Sequence, residues 1–270
     1  MKKMRNILMA AVVAIFAMSA CDIVEEPYFQ GGDGPTPTPV GVTKKVLLED
    51  FTGWRCVNCP AAAQGALQLQ SVYPEQLIVL GVHAGDLSDP YFVTPEGTEW
   101  FNYFAFDHNP IGTINRVSTS GNYGFESGQW GAAVVEELQK EAVMALAVEN
   151  TYDPATRALT CKVSGEIVEA QTDELSLVVC LMEDNIVGKQ LTPDGMNNEY
   201  VHRHVFRTTL NGAWGESIGA APFAEQTKFE KTYTMTISDE FNAENCAIIA
   251  YVYQNSDRAI LQVEEAEVME

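Results

Sequence analysis

The chain has 270 residues and carries 37 acidic against 16 basic side chains, a formal net charge of −21 at pH 7. That excess repels polyanions, so it argues against a nucleic-acid partner and against attraction to anionic lipid. The length, less a leader and a tether, leaves enough chain for two ordinary domains.

Residues 1–20 open on Lys2, Lys3 and Arg5, continue through an apolar run over 7–16 and close on Ser19 and Ala20. This is the pattern of a secretory signal peptide, too short and wrongly flanked for a stop-transfer helix. Its removal takes away three basic residues and no acidic one, leaving 13 against 37 and a charge of −24. Met18-Ser19-Ala20-Cys21 resembles a bacterial lipobox, which implies a lipidated Cys21, carrying palmitate or a similar acyl chain, as the new N-terminus. Met18 is unusual at its place in that box, and plain signal cleavage is the alternative. Lipidation would anchor the protein to a membrane rather than span it. No other segment approaches the roughly 18 apolar residues a spanning helix needs. Residues 21–43 hold acidic Asp22, Glu25 and Glu26 and then the Gly, Pro and Thr-rich run of 31–41, which reads as a tether. Acidic residues just after the cysteine resemble the export signal of surface-displayed lipoproteins, so an outer-membrane anchor on the periplasmic or surface face is expected. Disulfides are permissible there.

Residues 44–141 form the first expected domain. Val46, Leu47 and Leu48 begin an apolar strand that runs into Asp50-Phe51 and stops at Thr52-Gly53. Cys56 and Cys59 follow in C-x-x-C spacing, then Pro60 and an alanine-rich helix over 61–73 with Ala62, Ala66, Leu69 and Tyr73 on one face. A sulfur at a helix N-terminus faces unsatisfied N–H groups and the positive end of the macrodipole, which favour the thiolate. Half a zinc site or a structural disulfide fits the same four residues. Residues 77–82 are a continuous apolar run, as in a central strand covered on both faces, with His83 at its end. Thr94-Pro95-Glu96 reads as a helix cap, and the aromatic segment over 100–106 reads as helix-on-sheet core. Asn109-Pro110 opens a strand over 111–117, and 127–141 is an amphipathic helix, giving the order β-α-β-α-β-α.

Those residues resemble the thioredoxin pattern. Asp50 matches its buried aspartate, Cys56 and Cys59 its nucleophilic and resolving thiols, and Pro110 its cis-proline. Arg55 holds the place next to the first cysteine where that pattern has tryptophan, and Trp54 precedes it. The resemblance implies that Cys56 sits exposed in contact with Pro110, and that Asn109, Pro110 and Trp54 bind substrate.

Residues 142–270 form the second expected domain. Seven strand-like segments recur, at 143–150, 157–167, 174–183, 199–210, 227–237, 245–254 and 259–268, which reads as an all-β immunoglobulin-like sandwich. In that arrangement Cys161 and Cys246 fall on facing strands and could form a structural disulfide, or stay as buried free cysteines of the core, with Cys180 left over. His202 and His204 alternate along the fourth segment, so both would point the same way. No third ligand lies near them, so no metal is expected and packing is the simpler role. Nothing else calls for a cofactor.

The lipobox, the residues around Cys56 and Cys59, the stretch from Asn109 to Arg116 and the run over 200–207 together resemble the outer-membrane protein twenty-eight family of lipoproteins. Membership implies a thioredoxin-like domain with an appended β domain. Two functions follow. In one, Cys56 attacks a disulfide of an extracytoplasmic protein, Cys59 resolves the mixed disulfide and Asp50 relays the proton. In the other, the chain is a non-catalytic surface binding or adhesion lipoprotein whose Cys56–Cys59 bond is structural.

Overall fold

A computed structural model describes residues 42–269. The leader, Cys21 and most of the tether lie outside the described residues. Two continuous apolar runs set the frame: β1 (Val46–Thr52) and β2 (Leu77–His83) pair in parallel, and nearly all of both is buried. Parallel neighbours need a crossover, which α1 (Cys59–Val72) supplies. After α2 (Pro95–Tyr103), capped by Thr94 Oγ1 accepting the Gly97 N–H, the short β3 (Ile111–Ile114) returns antiparallel to β1. A single 3₁₀ turn then leads into α3 (Trp130–Leu138).

From residue 144 the regular structure is strand, apart from one 3₁₀ turn at Ala243–Asn245. β4 (Met144–Asp153), β5 (Ala158–Ile167) and β11 (Lys228–Thr236) make a three-stranded antiparallel sheet. β6 (Leu175–Glu183), β9 (Val205–Thr209), β12 (Cys246–Gln254) and β13 (Ile260–Glu267) instead join β1–β3. The resulting order is β13-β12-β6-β9-β2-β1-β3, with the two-residue β10 (Glu216–Ser217) added beside β6. One sheet thus runs across the position near 141 where the sequence suggests a boundary. The chain is mixed α/β, with several sheets.

Alternation within the strands shows how the layers stack. Leu47, Leu80, Val178, Cys180, Ile249 and Tyr251 face one continuous core with Trp100 and Phe101 of α2. On the opposite face, Leu48 and Val79 meet Ala62, Ala66 and Val134 of α1 and α3. Further along that face Leu177, Val179, Ile248 and Ala250 meet Leu159, Cys161 and Val163 of the three-stranded sheet.

The stretch from Asn109 to Arg116 proves to be a keystone of this core. Arg116 is fully buried and chelates Glu49 of β1 through Nε (2.8 Å) and Nη2, with Nη2 also donating to Tyr251 Oη at 2.7 Å. Trp100, Phe104, Trp214 and Tyr251 present their rings to its guanidinium at 4.9–5.6 Å. Asn115 Oδ1 accepts the Leu47 N–H at 2.9 Å.

Two expectations are corrected. The segment 199–210 is not one strand: it is the end of a hairpin, β7 (Ile186–Thr192) with β8 (Gly195–His202), then a turn, then β9. His204 occupies that turn at φ +54°, so His202 and His204 do not share a strand face. Cys161 and Cys246 are buried free thiols, as is Cys180, and no bridge joins them. Cys246 Sγ turns instead to the Asn242 carbonyl at 3.3 Å, and burial raises both the Cys161 and Cys246 thiols to about 12.

Candidate active site

β1 runs out of the sheet at Thr52 and the chain makes a tight loop before α1. Gly53 is required there, because a Cβ would lie 2.7 Å from the Leu87 carbonyl carbon and oxygen. Arg55 N–H donates to that same carbonyl at 3.0 Å, which fixes the loop against residues 85–91. Cys56 and Cys59 are joined by a disulfide, and the Cys59 N–H, at the start of α1, donates to Cys56 Sγ at 3.1 Å. A backbone donor aimed at this sulfur favours a thiolate there once the bond is opened. Arg55 does not reach toward the sulfurs: its guanidinium bonds the Asp86 carbonyl and lies 5.5 Å from the Trp54 ring centroid. Trp54 is held edge-on to Tyr91, with Nε1 donating to the Asp89 carbonyl at 3.0 Å.

Phe51 pairs with Ile111, so Pro110 stands at the level of Thr52, at the sheet end from which the cysteine loop departs. The Asn109–Pro110 peptide is cis, and Asn109 Nδ2 donates to the Ala84 carbonyl at 2.9 Å. Asp50 lies within β1 between Gly81 and Gly112 of its two neighbours. Its carboxyl is buried, Oδ1 has no partner, and burial raises its pKa to about 7. It shares a cavity wall with Ala63 and Ala66, which places it under the helix that Cys59 opens.

Exposure of Cys56 is the expectation that fails, and it is the one on which the exchange reading leans first. Cys56 and Cys59 are each 2% exposed. The cover includes the β7–β8 hairpin, which the sequence reading missed. Gln190, itself buried, donates from Nε2 to the carbonyls of Cys56 at 3.0 Å and Gly53 at 3.3 Å. Next to it the Leu191 N–H donates to the Trp54 carbonyl at 2.7 Å. At the other end of the hairpin His202 packs on His83 and Phe92, with ring centroids 5.5 and 5.0 Å away. His83 is buried and its pKa falls to about 3, through burial first and then through His202 and Arg207. It is a packing residue that seats the hairpin. No group of three or more His, Cys, Asp or Glu side chains among the described residues could hold a metal ion.

The family model of outer membrane protein Omp28 matches residues 98–270. The chain belongs to the Omp28 family. Omp28 proteins are outer-membrane lipoproteins, and the location that the leader suggests agrees with this. Among the described residues no helix is long and apolar enough to cross a membrane. The Omp28 match covers Pro110 and the hairpin but begins beyond Cys56 and Cys59. HBP35 of Porphyromonas gingivalis is similar in fold, with a TM-score of 0.69 at 17% identity over 84% of this chain and 76% of that one. A protein of Agrobacterium tumefaciens follows at 0.51 and 12% identity, over 85% and 97%. A domain of the outer membrane lipoprotein Omp28 from P. gingivalis has 22% identity over 48% of this chain and 90% of that one, with a TM-score of 0.33. A search of curated proteins found no match.

Proposed function

We propose that the chain is a lipid-anchored thiol–disulfide exchange protein, tethered through Cys21 and acting on extracytoplasmic polypeptides. The part from β1 to α3 is read as a thioredoxin-like unit and the remaining strands as an immunoglobulin-like layer merged with its sheet. The observation that carries this is Asp50. An unpartnered buried carboxyl costs stability, and a merely structural disulfide gains nothing from one beneath the helix its second cysteine begins. With a pKa raised to about 7, Asp50 can give or take a proton near neutrality.

Cys56 thiolate attacks a substrate disulfide, forming a mixed disulfide and expelling one substrate thiolate, which takes a proton from water. Cys59 then loses its proton to Asp50 carboxylate and attacks Cys56 Sγ, expelling the second substrate thiolate. The substrate gains two electrons, the pair is left as the disulfide, and a dithiol donor must reduce it again. Run backward, the same steps oxidise a substrate dithiol. By the thioredoxin resemblance, Pro110, Asn109 and Trp54 would hold substrate backbone.

A second reading has its own observation: Cys56 is 2% exposed under Gln190, as a structural bridge in a binding lipoprotein would be. Turnover separates the two. The mature chain, supplied with dithiothreitol, should accelerate reduction of a peptide disulfide. Cys56→Ser should abolish this, and Asp50→Asn should slow it by about a hundredfold or more. No acceleration over dithiothreitol alone would leave the structural reading.

A further inference from the structure

A cavity of about 220 Å³ lies between α1 and the turn that joins β8 to β9. Asp50, Ala63, Gln64, Tyr200, Arg203 and His204 stand on its wall. Its presence follows from the strands. Asp50 is flanked by Gly81 and Gly112; Trp130 of α3 fills the place beside Gly112, where a Cβ would lie 2.7 Å from its Nε1, so the cavity opens on the Gly81 side. At Gly81 the gap admits the backbone of the turn: a Cβ there would lie 3.2 and 3.3 Å from the His204 and Arg203 carbonyl oxygens. The Gly81 N–H donates to the His204 carbonyl at 2.7 Å, which clamps the turn against β2. The C-terminal half therefore supplies one wall of the space into which an N-terminal carboxyl opens.

Asp50 is 3% exposed and its Oδ1 has no protein partner. Water needs about 10–15 Å³ of probe-occupied volume and two to four polar partners. The cavity has room for several waters, and Gln64, Tyr200, Arg203 and His204 provide partners. The charged and titratable groups on the cavity wall beside Asp50 come from the end of β8 (Tyr200) and the turn after it (Arg203, His204). α1 contributes uncharged Gln64, and β2 contributes Val79 and Gly81. Arg203 is drawn outward to Asp184 at 3.2 Å. The Tyr200 phenol is pushed up by burial and then by Asp50, so the two groups lie within electrostatic reach.

We propose that this cavity is the route by which Asp50 exchanges its proton with solvent, and that Tyr200 is a positioning residue for the water bonded to that carboxyl. The proposal rests on the exchange reading above and deepens it. The proton that Cys59 yields to Asp50 passes to cavity water, and the carboxylate is restored for the next cycle. The appended strands then act on the cysteine pair twice, by covering Cys56 through Gln190 and by walling the cavity of Asp50.

The test is infrared difference spectroscopy on the full mature chain in its oxidised form, following the C=O stretch of protonated Asp50 with pH and after transfer to D₂O. Asp50→Asn identifies the band. The band should vanish with a midpoint near pH 7 in the unaltered protein. Tyr200→Phe should move that midpoint upward, because a donor that favours the carboxylate has been withdrawn. Ala63→Leu, which narrows the cavity and leaves Tyr200 in place, should slow deuterium exchange at Asp50 about tenfold. A midpoint unmoved by Tyr200→Phe together with unaltered exchange in Ala63→Leu overturns the proposal. If Ala63→Leu fails to fold, the Tyr200→Phe midpoint decides alone. A cysteine pair that is inert to dithiols while the band answers to Tyr200 would sink the exchange reading and leave the proton route standing. A pair that turns over while the band ignores both variants would do the reverse.

Discussion

Asp50 and His83 lie two rows apart on paired strands, both buried, and their ionisation affects stability with opposite signs. Asp50 is raised from 3.8 to about 7 in the folded chain. Below 3.8 it is neutral in both states; as pH rises to 7 the unfolded chain ionises first, so stability falls and then levels off. His83 is lowered from 6.5 to about 3. Above 6.5 it is neutral in both states; as pH falls toward 3 the unfolded chain gains the proton first, so stability is lost on the acid side. In urea unfolding, Asp50→Asn should therefore gain stability at pH 8 relative to pH 4, by an amount on the order of a few kcal/mol. His83→Asn should flatten the loss between pH 6.5 and pH 4. Parallel pH curves for either variant and the parent would show that the group titrates normally. The burial of Asp50 was legible through the thioredoxin resemblance, which places a buried aspartate ahead of the cysteine pair. The missing partner of its carboxyl was not, since that depends on glycines arriving from two other strands.

At the scale of elements, the β7–β8 hairpin decides whether the cysteine pair can be reached. Two hydrogen bonds from Gln190 and one from Leu191 hold it on the loop, and each is worth about 0.5–1.5 kcal/mol net. Gln190→Ala should then speed reduction of the pair by dithiothreitol about tenfold, a change worth about 1.4 kcal/mol. An unchanged rate would mean that something other than the hairpin limits access. The sequence hid this element for a physical reason. β8 exposes nearly every residue on both faces, so no apolar alternation marks it. β1, β2 and α1 were legible because their runs are long, apolar and bounded by Gly53 and Pro74. Between a Cys161–Cys246 bridge and buried free thiols the sequence could not choose: alternation shows both sulfurs facing one core, but not that Cys246 turns to its own loop.

Across the whole molecule, the two halves share a sheet and a core. β2 meets β9 at Gly81 and Val205, a pairing between residues 124 positions apart that no local pattern announces. Trp100 packs on Phe206 with ring centroids 4.8 Å apart. Arg116 ties Glu49 of the first half to Tyr251 of the second. Removing one partner of a buried ion pair strands the other charge, so Arg116→Met should cost about 3–5 kcal/mol in urea unfolding. Adding Glu49→Met should recover much of that loss. A double variant no more stable than the single one would mean that the guanidinium's ring contacts, and not charge balance, dominate. The proposed exchange rests on the cysteine pair. Its most direct test is the reduction potential of Cys56–Cys59 in the mature chain, read by equilibration against dithiothreitol buffers with thiol trapping. An exchange protein should fall between about −270 and −120 mV, and a value below about −300 mV would mark a structural bridge and contradict the account.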